Sequence, residues 1–302
     1  MDQAERLRQI INNIKIKQGI VSKENPNYLK KSATKIITIT SGKGGVGKTN
    51  ITVNLAIALG ELGKKVIILD ADLGLSNIEV LLGIAPQYTL GDIIYNNKSI
   101  FDVITTGPNN IRFISGGSGA DVLVKLNKEV LDRFILNIGM LDKIADIILI
   151  DTGAGLSDSV TSFIMAADEV ILVTTPEPTS LTDAYALIKT VITKDRNKKI
   201  NLIVNKAEDE REAKDIINKI SLVVNRFLGV KLNPLGFILQ DQAVVKSVKQ
   251  QNPFYMKYPN SDATKSIKDI SKKIVENDEQ GFSEGGFGIK VFFNKLIGFM
   301  RG

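Results

Sequence analysis

The glycines and lysines between Gly42 and Thr49 have the types and spacing that chemistry on phosphates requires. Their order, Gly-Lys-Gly-Gly-Val-Gly-Lys-Thr, satisfies the pattern G-x-x-x-x-G-K-[ST]. The segment follows an apolar strand and opens a helix predicted from Val46 to Leu62. Glycines let successive backbone amides turn toward phosphate oxygens, and a helix N-terminus favours a bound anion. The segment therefore predicts a phosphate-binding loop.

Two residues at the end of this loop are expected to contact a nucleotide and a divalent cation. Lys48 is expected to reach the β- and γ-phosphates, and the hydroxyl of Thr49 is expected to ligate Mg²⁺. We predict a nucleotide with Mg²⁺ as the ligand. The loop residues predicted to bind the nucleotide are Gly44, Gly45, Val46, Gly47, Lys48, Thr49 and Asn50.

Composition restricts the remaining chemistry. The chain of 302 residues contains neither cysteine nor histidine, which excludes disulfides, thiolate metal sites, cysteine nucleophiles and imidazole catalysis. Catalysis must rest on carboxylates, lysines, hydroxyls, backbone amides and a metal ion. The charged N-terminus and the lack of any run of about 18 apolar residues predict a cytoplasmic protein.

The net charge of +6 is concentrated near the N-terminus. Up to Lys35 there are eight Lys or Arg residues against three acids, so the remainder is almost neutral. A basic groove across the main body is not expected, and neither is nucleic acid as a partner. A local basic patch formed by folding stays open.

Apolar, β-branched runs alternate with helix-length amphipathic stretches along the main body. This alternation predicts an α/β fold, a P-loop NTPase with a mostly parallel β-sheet and helices on both faces. The predicted strands are Lys35 to Thr40, Lys65 to Leu69, Ile111 to Ser115, Asp146 to Ile150, Val170 to Thr175, Ile200 to Asn205 and Leu235 to Leu239.

Three regions are predicted. Residues 1–33 form a charged leader with one amphipathic helix, which Asn25-Pro26-Asn27 ends. Residues 34–276 form the ATPase domain. Residues 277–302 combine a flexible, glycine-rich tether with a second amphipathic helix.

Three aspartates are placed to serve the phosphate site. Asp70 and Asp72 end the second strand, at the sheet edge where ligands gather. Asp151 follows four apolar residues, as in a Walker B strand, and is expected to hold Mg²⁺ through water. Aspartates at strand ends are also common turn formers, which is the alternative interpretation.

Lys43 departs from the ordinary loop, and here the chain resembles the deviant Walker A family that includes MinD and ParA. The resemblance implies that Lys43 crosses a dimer interface to the partner's ATP, so that ATP joins a homodimer. The alternative is a lysine that contacts only its own ATP. By the same resemblance Asp72 orients the attacking water and Asp70 supports the Mg²⁺ shell, so the predicted catalytic residues are Asp72, Lys43 and Lys48, and the predicted metal residues are Thr49, Asp70 and Asp151.

The resemblance also implies residues for sensing and base recognition. Thr152-Gly153-Ala154-Gly155 resembles switch II, in which the amide of Gly155 could sense the γ-phosphate. Asn205-Lys206-Ala207-Glu208 nearly matches the guanine-reading N-K-x-D, but glutamate replaces aspartate. The family favours ATP, with Asn205 on the adenine and the loop Gln240 to Ala243 closing over it.

The tail from Ile289 to Met300 has apolar residues on one face and basic residues on the other when it is drawn as a helix. It is too short to span a bilayer, so the pattern predicts a surface anchor on an anionic membrane. Docking on the chain's own body or on a protein is the alternative, and the docked form could be the resting state. The predicted membrane residues are Ile289, Phe292, Phe293, Leu296, Ile297 and Met300.

The first residues resemble the D-Q-A-x-x-L-R element of the FlhG family, also called FleN or YlxH. In that family the element stimulates FlhF, a GTPase related to those of the signal recognition particle. The residues that carry the resemblance, and the predicted GTPase-activating set, are Asp2, Gln3, Ala4, Arg6, Leu7 and Arg8.

The sequence thus predicts an ATPase that dimerises on ATP, lies at the inner face of the cell membrane and regulates flagellar placement or number. A MinD-like septum-positioning ATPase is the nearest alternative, and a ParA-type DNA partition ATPase is a more distant one. A metal-cluster ATPase of related fold is excluded because the chain has no cysteine.

Overall fold

The computed structural model describes residues 34–72, 77–117, 126–279 and 288–301, with side chains described up to residue 277 in the third range. These ranges contain the predicted ATPase domain apart from residues 73–76 and 118–125. The predicted leader helix and GTPase-activating residues, and most of the predicted tether, lie outside them.

An eight-stranded sheet forms the centre of the described fold, in the order β3-β4-β2-β5-β1-β6-β7-β8. Every neighbouring pair in this sheet is parallel except β3 and β4. The strands are β1 (Lys35–Thr40), β2 (Val66–Ala71), β3 (Thr105–Thr106), β4 (Arg112–Ser115), β5 (Ile147–Thr152), β6 (Glu169–Thr174), β7 (Lys199–Ala207) and β8 (Asn233–Leu239).

All seven predicted strands are present, each within about two residues of its predicted bounds. The predicted α/β fold is confirmed. The two-residue β3 was missed because a pair of threonines is too short to give a period. Parallel pairing aligns the carboxyl ends of β1, β2 and β5 at one edge, and in the register between β2 and β5 Asp70 stands beside Asp151.

Helices cover both faces of the sheet. In the described part of the chain they are α1 (Lys48–Glu61), α2 (Asn77–Leu82), α3 (Leu90–Tyr95), α4 (Ile100–Val103), α5 (Lys128–Ile138), α6 (Asp158–Ala166), α7 (Pro178–Lys194), α8 (Glu210–Leu228), α9 (Gln242–Lys249), α10 (Phe254–Lys257), α11 (Asp262–Glu279) and α12 (Gly288–Arg301). The strands are buried on both sides, which explains their continuous apolar sequences. Helix α11 ends at Glu279, so the domain boundary predicted at residue 276 falls inside it.

The C-terminal helix α12 packs on the body of the chain, mainly against α6 and α5. Its predicted membrane residues are therefore buried or partly buried in this structure, which corresponds to the alternative of a helix docked on the chain's own body, and their contact with a membrane stays a prediction. Met300 is partly buried, and the other five are at most 5% exposed: Ile289, Phe292, Phe293, Leu296 and Ile297.

Aromatic packing explains why the docked position is stable. The ring of Phe293 meets Phe134 of α5 edge-on, with centroids 5.3 Å apart, and the ring of Phe292 lies 6.2 Å from that of Phe163 of α6. Burying one large apolar side chain contributes about 1.5 to 3 kcal/mol. The apolar face that would enter a membrane thus finds an equivalent environment within the chain.

The first turn of α12 is fixed by Asp142, which lies in a short 3₁₀ helix (Gly139–Lys143). The backbone amide of Ile289 donates to Oδ1 of Asp142 at 2.9 Å. Helix N-termini leave such amides unsatisfied, and a carboxylate that accepts from one stabilises the helix.

No helix among the described residues is long and apolar enough to cross a membrane.

Candidate nucleotide-binding site

The predicted phosphate loop joins β1 to α1 at the carboxyl edge of the sheet. Gly45 and Gly47 adopt left-handed φ angles of 77° and 97°, which other residues rarely tolerate. A Cβ atom built on Gly44 or Gly45 would meet no atom within 4 Å. The loop therefore leaves room beside its backbone, as an incoming phosphate group requires.

The loop ends in a buried hydrogen-bond network around Asp151. The hydroxyl of Thr49 donates to Oδ2 of Asp151 at 2.6 Å, and the hydroxyl of Thr52 donates to Oδ1 at 3.2 Å. The predicted metal residues Thr49 and Asp151 are therefore together. Thr52, one turn further along α1, was missed because threonine is common in helices and belongs to no motif.

Asp70, the third predicted metal residue, is 2% exposed and lies on the neighbouring strand. Burial, and then the charge of Asp151, raises the pKa of Asp70 to about 7. Burial raises the pKa of Asp151 to about 6, although the hydrogen bond from Thr49 and the charge of Lys48 oppose this. Two buried carboxylates thus share a site that lacks enough positive charge.

These residues fit a magnesium nucleotide. Mg²⁺ is usually held by only one or two protein groups, with phosphate oxygens and water completing its octahedron. The described residues contain no group of three or more acidic side chains that could hold a metal alone. Thr49 would ligate the ion and Asp151 would accept hydrogen bonds from its water. A cation there would compensate the charge of the buried carboxylates. Lys48, which is 8% exposed and begins α1, already supplies one positive charge near Asp151.

Asp72, the predicted catalytic residue, follows β2 and faces the switch II region. Its Oδ1 lies 3.5 Å from the position that a Cβ on Gly153 would take. The side-chain Nδ2 of Asn77 donates to Oδ2 of Asp72 at 3.2 Å. Asn77 is a positioning residue that sequence reasoning missed, since a single asparagine at a helix start resembles an ordinary cap.

The backbone amide of Gly155, the predicted γ-phosphate sensor, makes a hydrogen bond within the chain. Gly155 has a left-handed φ of 95°, and its amide donates to the carbonyl of Ser41 at 2.9 Å. That hydrogen bond ties switch II to the start of the phosphate loop. Contact between the Gly155 amide and a γ-phosphate therefore requires the bond to Ser41 to break.

Lys43 contacts its own chain. Its Nζ lies 2.7 Å from Oε2 of Glu177 and 3.0 Å from Oγ1 of Thr179, at the start of α7. The ion pair lowers the pKa of Glu177. Neither Glu177 nor Thr179 was among the predicted site residues, so these two partners were missed.

The predicted base-recognition residue Asn205 braces the loop from the other side. Its Nδ2 donates to the carbonyl of Val46 at 2.7 Å, and Nζ of Lys206 donates to the carbonyl of Gly45 at 2.8 Å. Lys206 has an unusual left-handed φ of 59°. The side chain of Asn50 has a buried Oδ1 that meets no hydrogen-bond donor among the described residues.

The loop from Gln240 to Ala243 lies next to this strand end. The amide of Gln240 donates to the carbonyl of Ala207, and Asp241 caps α9 by accepting from Ala243 at 2.7 Å. The loop is therefore joined to β7 beside Asn205, where the predicted contact with a base would be made.

Comparison with known proteins places these features in context. A family model described as ParA, NUBPL iron-transfer P-loop NTPase, matches residues 32–275. The antiactivator FleN of Pseudomonas aeruginosa is 41% identical over 239 residues, covering 79% of this chain and 85% of FleN. The flagellum site-determining protein YlxH of Helicobacter pylori is 33% identical over 287 residues, covering 93% of this chain and 97% of YlxH.

The match to YlxH extends beyond the ATPase core. The leader and the tail comprise 33 and 26 of the 302 residues. An alignment that covers 93% of the chain must therefore reach into both. The absence of cysteine means that no thiolate is available for the metal cargo named in the family description.

Solved structures agree with the fold and the ligand class. MinD of Pyrococcus horikoshii in complex with Mg-ADP is 26% identical with a TM-score of 0.63, covering 81% of this chain and 97% of that one. The MinC:MinD complex of Aquifex aeolicus gives a TM-score of 0.65 at 24% identity, covering 80% and 96%, and shows the shared fold.

Proposed function

As this chain belongs to the MinD/ParA family of P-loop ATPases, in the branch that contains FleN and YlxH, we propose that it is an ATP-driven switch regulating flagellar number or placement. The ATPase relatives imply ATP hydrolysis. The observation that supports the switch best is the hydrogen bond from Thr49 to Asp151 at 2.6 Å, which lies directly before the segment predicted to be switch II. A nucleotide that enters the loop changes the surroundings of all these groups together.

In the proposed cycle Lys48 binds the phosphates, and the hydroxyl of Thr49, which now donates to Asp151, would hold the metal ion. Asp72 accepts a hydrogen bond from the attacking water, and the bound metal supplies charge stabilisation to the phosphates. Lys43 leaves Glu177 and contacts the nucleotide of a second copy. ATP then acts as the joint of a homodimer.

The second part of the proposal concerns the membrane. Helix α12 is docked in this structure, and we propose that the ATP-bound dimer releases it to an anionic surface. One helix of this length binds a bilayer weakly, whereas a dimer presents two and gains avidity. Hydrolysis reverses the association, which makes the protein peripheral at the inner face of the cell membrane.

A disulfide lock tests this release directly. A Cβ on Gly288 would lie 3.3 Å from Cγ of Asp142, so cysteines at both positions are close enough to bridge. The chain has no other cysteine, and the left-handed φ of Gly288, 62°, costs about 1 kcal/mol once it carries a side chain.

In the experiment, size-exclusion chromatography and vesicle sedimentation are run with ATP on three proteins. Wild type should dimerise and sediment with vesicles of phosphatidylglycerol. The pair Asp142→Cys and Gly288→Cys should gain ATP-dependent sedimentation only after reduction. Lys48→Ala should neither dimerise nor increase its sedimentation when ATP is added. Equal ATP-dependent sedimentation of the oxidised and reduced forms contradicts release of α12.

The leader supports the third part, stimulation of an FlhF-type GTPase. The alignment with YlxH covers part of the leader, and the motif itself is carried by the sequence from Asp2 to Arg8. A peptide of the first 20 or so residues should raise the GTP hydrolysis rate of the GTPase, whereas a peptide with Gln3→Ala and Arg6→Ala should not. No stimulation by either peptide favours a MinD-like role without this partner.

A further inference from the structure

A cavity of about 270 Å³ lies at the edge of the sheet opposite the nucleotide site. Its walls are the loop between α7 and β7 and the loop between α8 and β8. Four cationic residues border it, and no Asp or Glu does so among the described residues: Arg196, Lys198, Lys199 and Lys231. Asn197 and the apolar side chains of Ile192, Ile200, Val230 and Leu232 complete the lining.

Acidic residues near the cavity compensate part of this charge. Oε1 of Glu169 forms ion pairs with Nζ of Lys199 at 3.5 Å and with Nζ of Lys35 at 3.2 Å. Asp195 accepts a hydrogen bond from the amide of Asn197 at 3.0 Å and influences Lys198. Arg196 and Lys231 are exposed and are not paired with any carboxylate in the described part of the chain. A positive excess therefore remains at the mouth of the cavity.

Lys198 gives the cavity a fixed cation at its inner side. Its Nζ donates to the carbonyl of Met165 at 3.0 Å and to that of Ala167, at the end of α6. Burial lowers the pKa of Lys198 to about 8, so an anion in the cavity would favour its charged form. The guanidinium of Arg196 lies above Gly229, where Nη2 is 3.0 Å from the position of a Cβ.

The cavity adjoins the docked C-terminal helix. Helix α6, which ends at the carbonyls that hold Lys198, is also the main helix against which α12 packs. Lys295 of α12 is near enough for its charge to influence both Lys198 and Asp168. The basic cavity and the helix proposed to enter the membrane are thus connected through α6, and Lys295 lies within electrostatic range of Lys198.

We propose that this cavity binds the phosphate group of an anionic phospholipid. The cations would bind the phosphate, and the apolar lining would contact the glycerol and the first methylenes. The nearby helix α12 indicates that a bilayer supplies this lipid. The proposal rests on the membrane association proposed above. It adds a contact that α12 does not make, one that holds the protein at an anionic surface while the helix is still docked.

The disulfide lock separates this contact from release of α12, because the oxidised protein keeps the start of the helix on the body and the helix cannot leave as a whole. Without nucleotide, the locked protein should bind vesicles of phosphatidylglycerol weakly and lose binding as salt rises, and it should not bind phosphatidylcholine vesicles. Arg196→Gln with Lys231→Gln in the locked protein should weaken binding about 30-fold, since each of the two cations near an anionic surface contributes about 1 kcal/mol.

The matched control is Lys214→Gln with Lys265→Gln, which removes the same charge from side chains 62% and 65% exposed in ion pairs elsewhere. It should change binding less than the cavity pair. Equal losses in the two pairs, or no binding of the locked protein to anionic vesicles, overturn the proposal. Competition by glycerol phosphate as effective as that by vesicles reassigns the cavity to a soluble phosphate compound and overturns the lipid assignment.

These outcomes are separate from those of the proposed function. The locked protein is measured without ATP, so neither dimerisation nor release of α12 is involved. If the cavity pair has no effect while vesicle binding by the wild-type protein still responds to ATP, the cavity proposal fails and the switch stands. If ATP has no effect while the cavity pair weakens binding, the switch proposal fails and the cavity proposal stands.

Discussion

Lys43 forms an ion pair with Glu177 of its own chain, with Nζ and Oε2 2.7 Å apart. The two side chains are 41% and 59% exposed, and exposed ion pairs contribute at most about 1 kcal/mol. Lys43 can therefore exchange Glu177 for a stronger anion at little cost. The phosphates of a second copy's nucleotide are such an anion, and in the proposed cycle this exchange would couple ATP binding to dimerisation.

Substitution of Lys43 tests this coupling. Lys43→Ala should keep ATP binding to the monomer, because Lys48 and the loop amides remain, but it should abolish ATP-dependent dimers. Isothermal titration and size-exclusion chromatography measure the two properties. Glu177→Gln is the matched control, since it removes the same ion pair and keeps the lysine. It should still dimerise, and loss of dimers in both variants would show that the ion pair itself is needed.

The buried carboxylates predict a pH dependence. The pKa of Asp70 rises from 3.8 to about 7 on folding, so folding favours its protonated form. The loss of folding stability that its charge causes is absent below about pH 4 and reaches its full size above about pH 7. In protein free of nucleotide and metal, Asp70→Asn should raise the melting temperature by about 5 °C at pH 8 and by much less at pH 5.

Asp132→Asn, on the exposed side of α5, is the control for this pH series and should change the melting temperature equally at both values. Calorimetry measures each variant. A gain from Asp70→Asn that is as large at pH 5 as at pH 8 contradicts the buried-charge explanation.

Asp72 is expected to matter for turnover rather than for binding. Asp72→Ala should lower ATP hydrolysis roughly 100-fold, the scale of a lost acid–base group, and ATP-bound dimers should accumulate. Asn77→Ala removes only the 3.2 Å hydrogen bond to Asp72 and should give a smaller loss. Phosphate release and cross-linking report the two effects. Normal turnover of Asp72→Ala means that another group orients the water.

The nucleotide site was largely predictable because its signals are local. The glycine spacing, the apolar run before Asp151 and the strand end at Asp70 all lie within short segments, and parallel strands bring their ends together. Glu177 could not be found in this way. Its contact with Lys43 joins residues 134 positions apart, and nothing in the segment itself indicates a lysine partner.

The amphipathic pattern of α12 predicted its helix but not what its apolar face contacts. The same face satisfies a bilayer and a protein groove, because both replace water by apolar atoms. The contact with Phe134 depends on where α5 and α6 leave a groove, which only the assembled fold determines. The cap from Asp142 depends on it in the same way.

The contact between Phe134 and Phe293, with ring centroids 5.3 Å apart, therefore offers a test from both sides. Phe134→Ala loosens the docking site and leaves the helix intact, so it should increase vesicle binding and reduce its dependence on ATP. Phe293→Ala loses the same contact but also removes an apolar group from the helix, so it should decrease binding at saturating ATP. Each variant loses about 3 to 5 kcal/mol of packing. If both substitutions shift sedimentation in the same direction, the docked helix is not the element that meets the membrane.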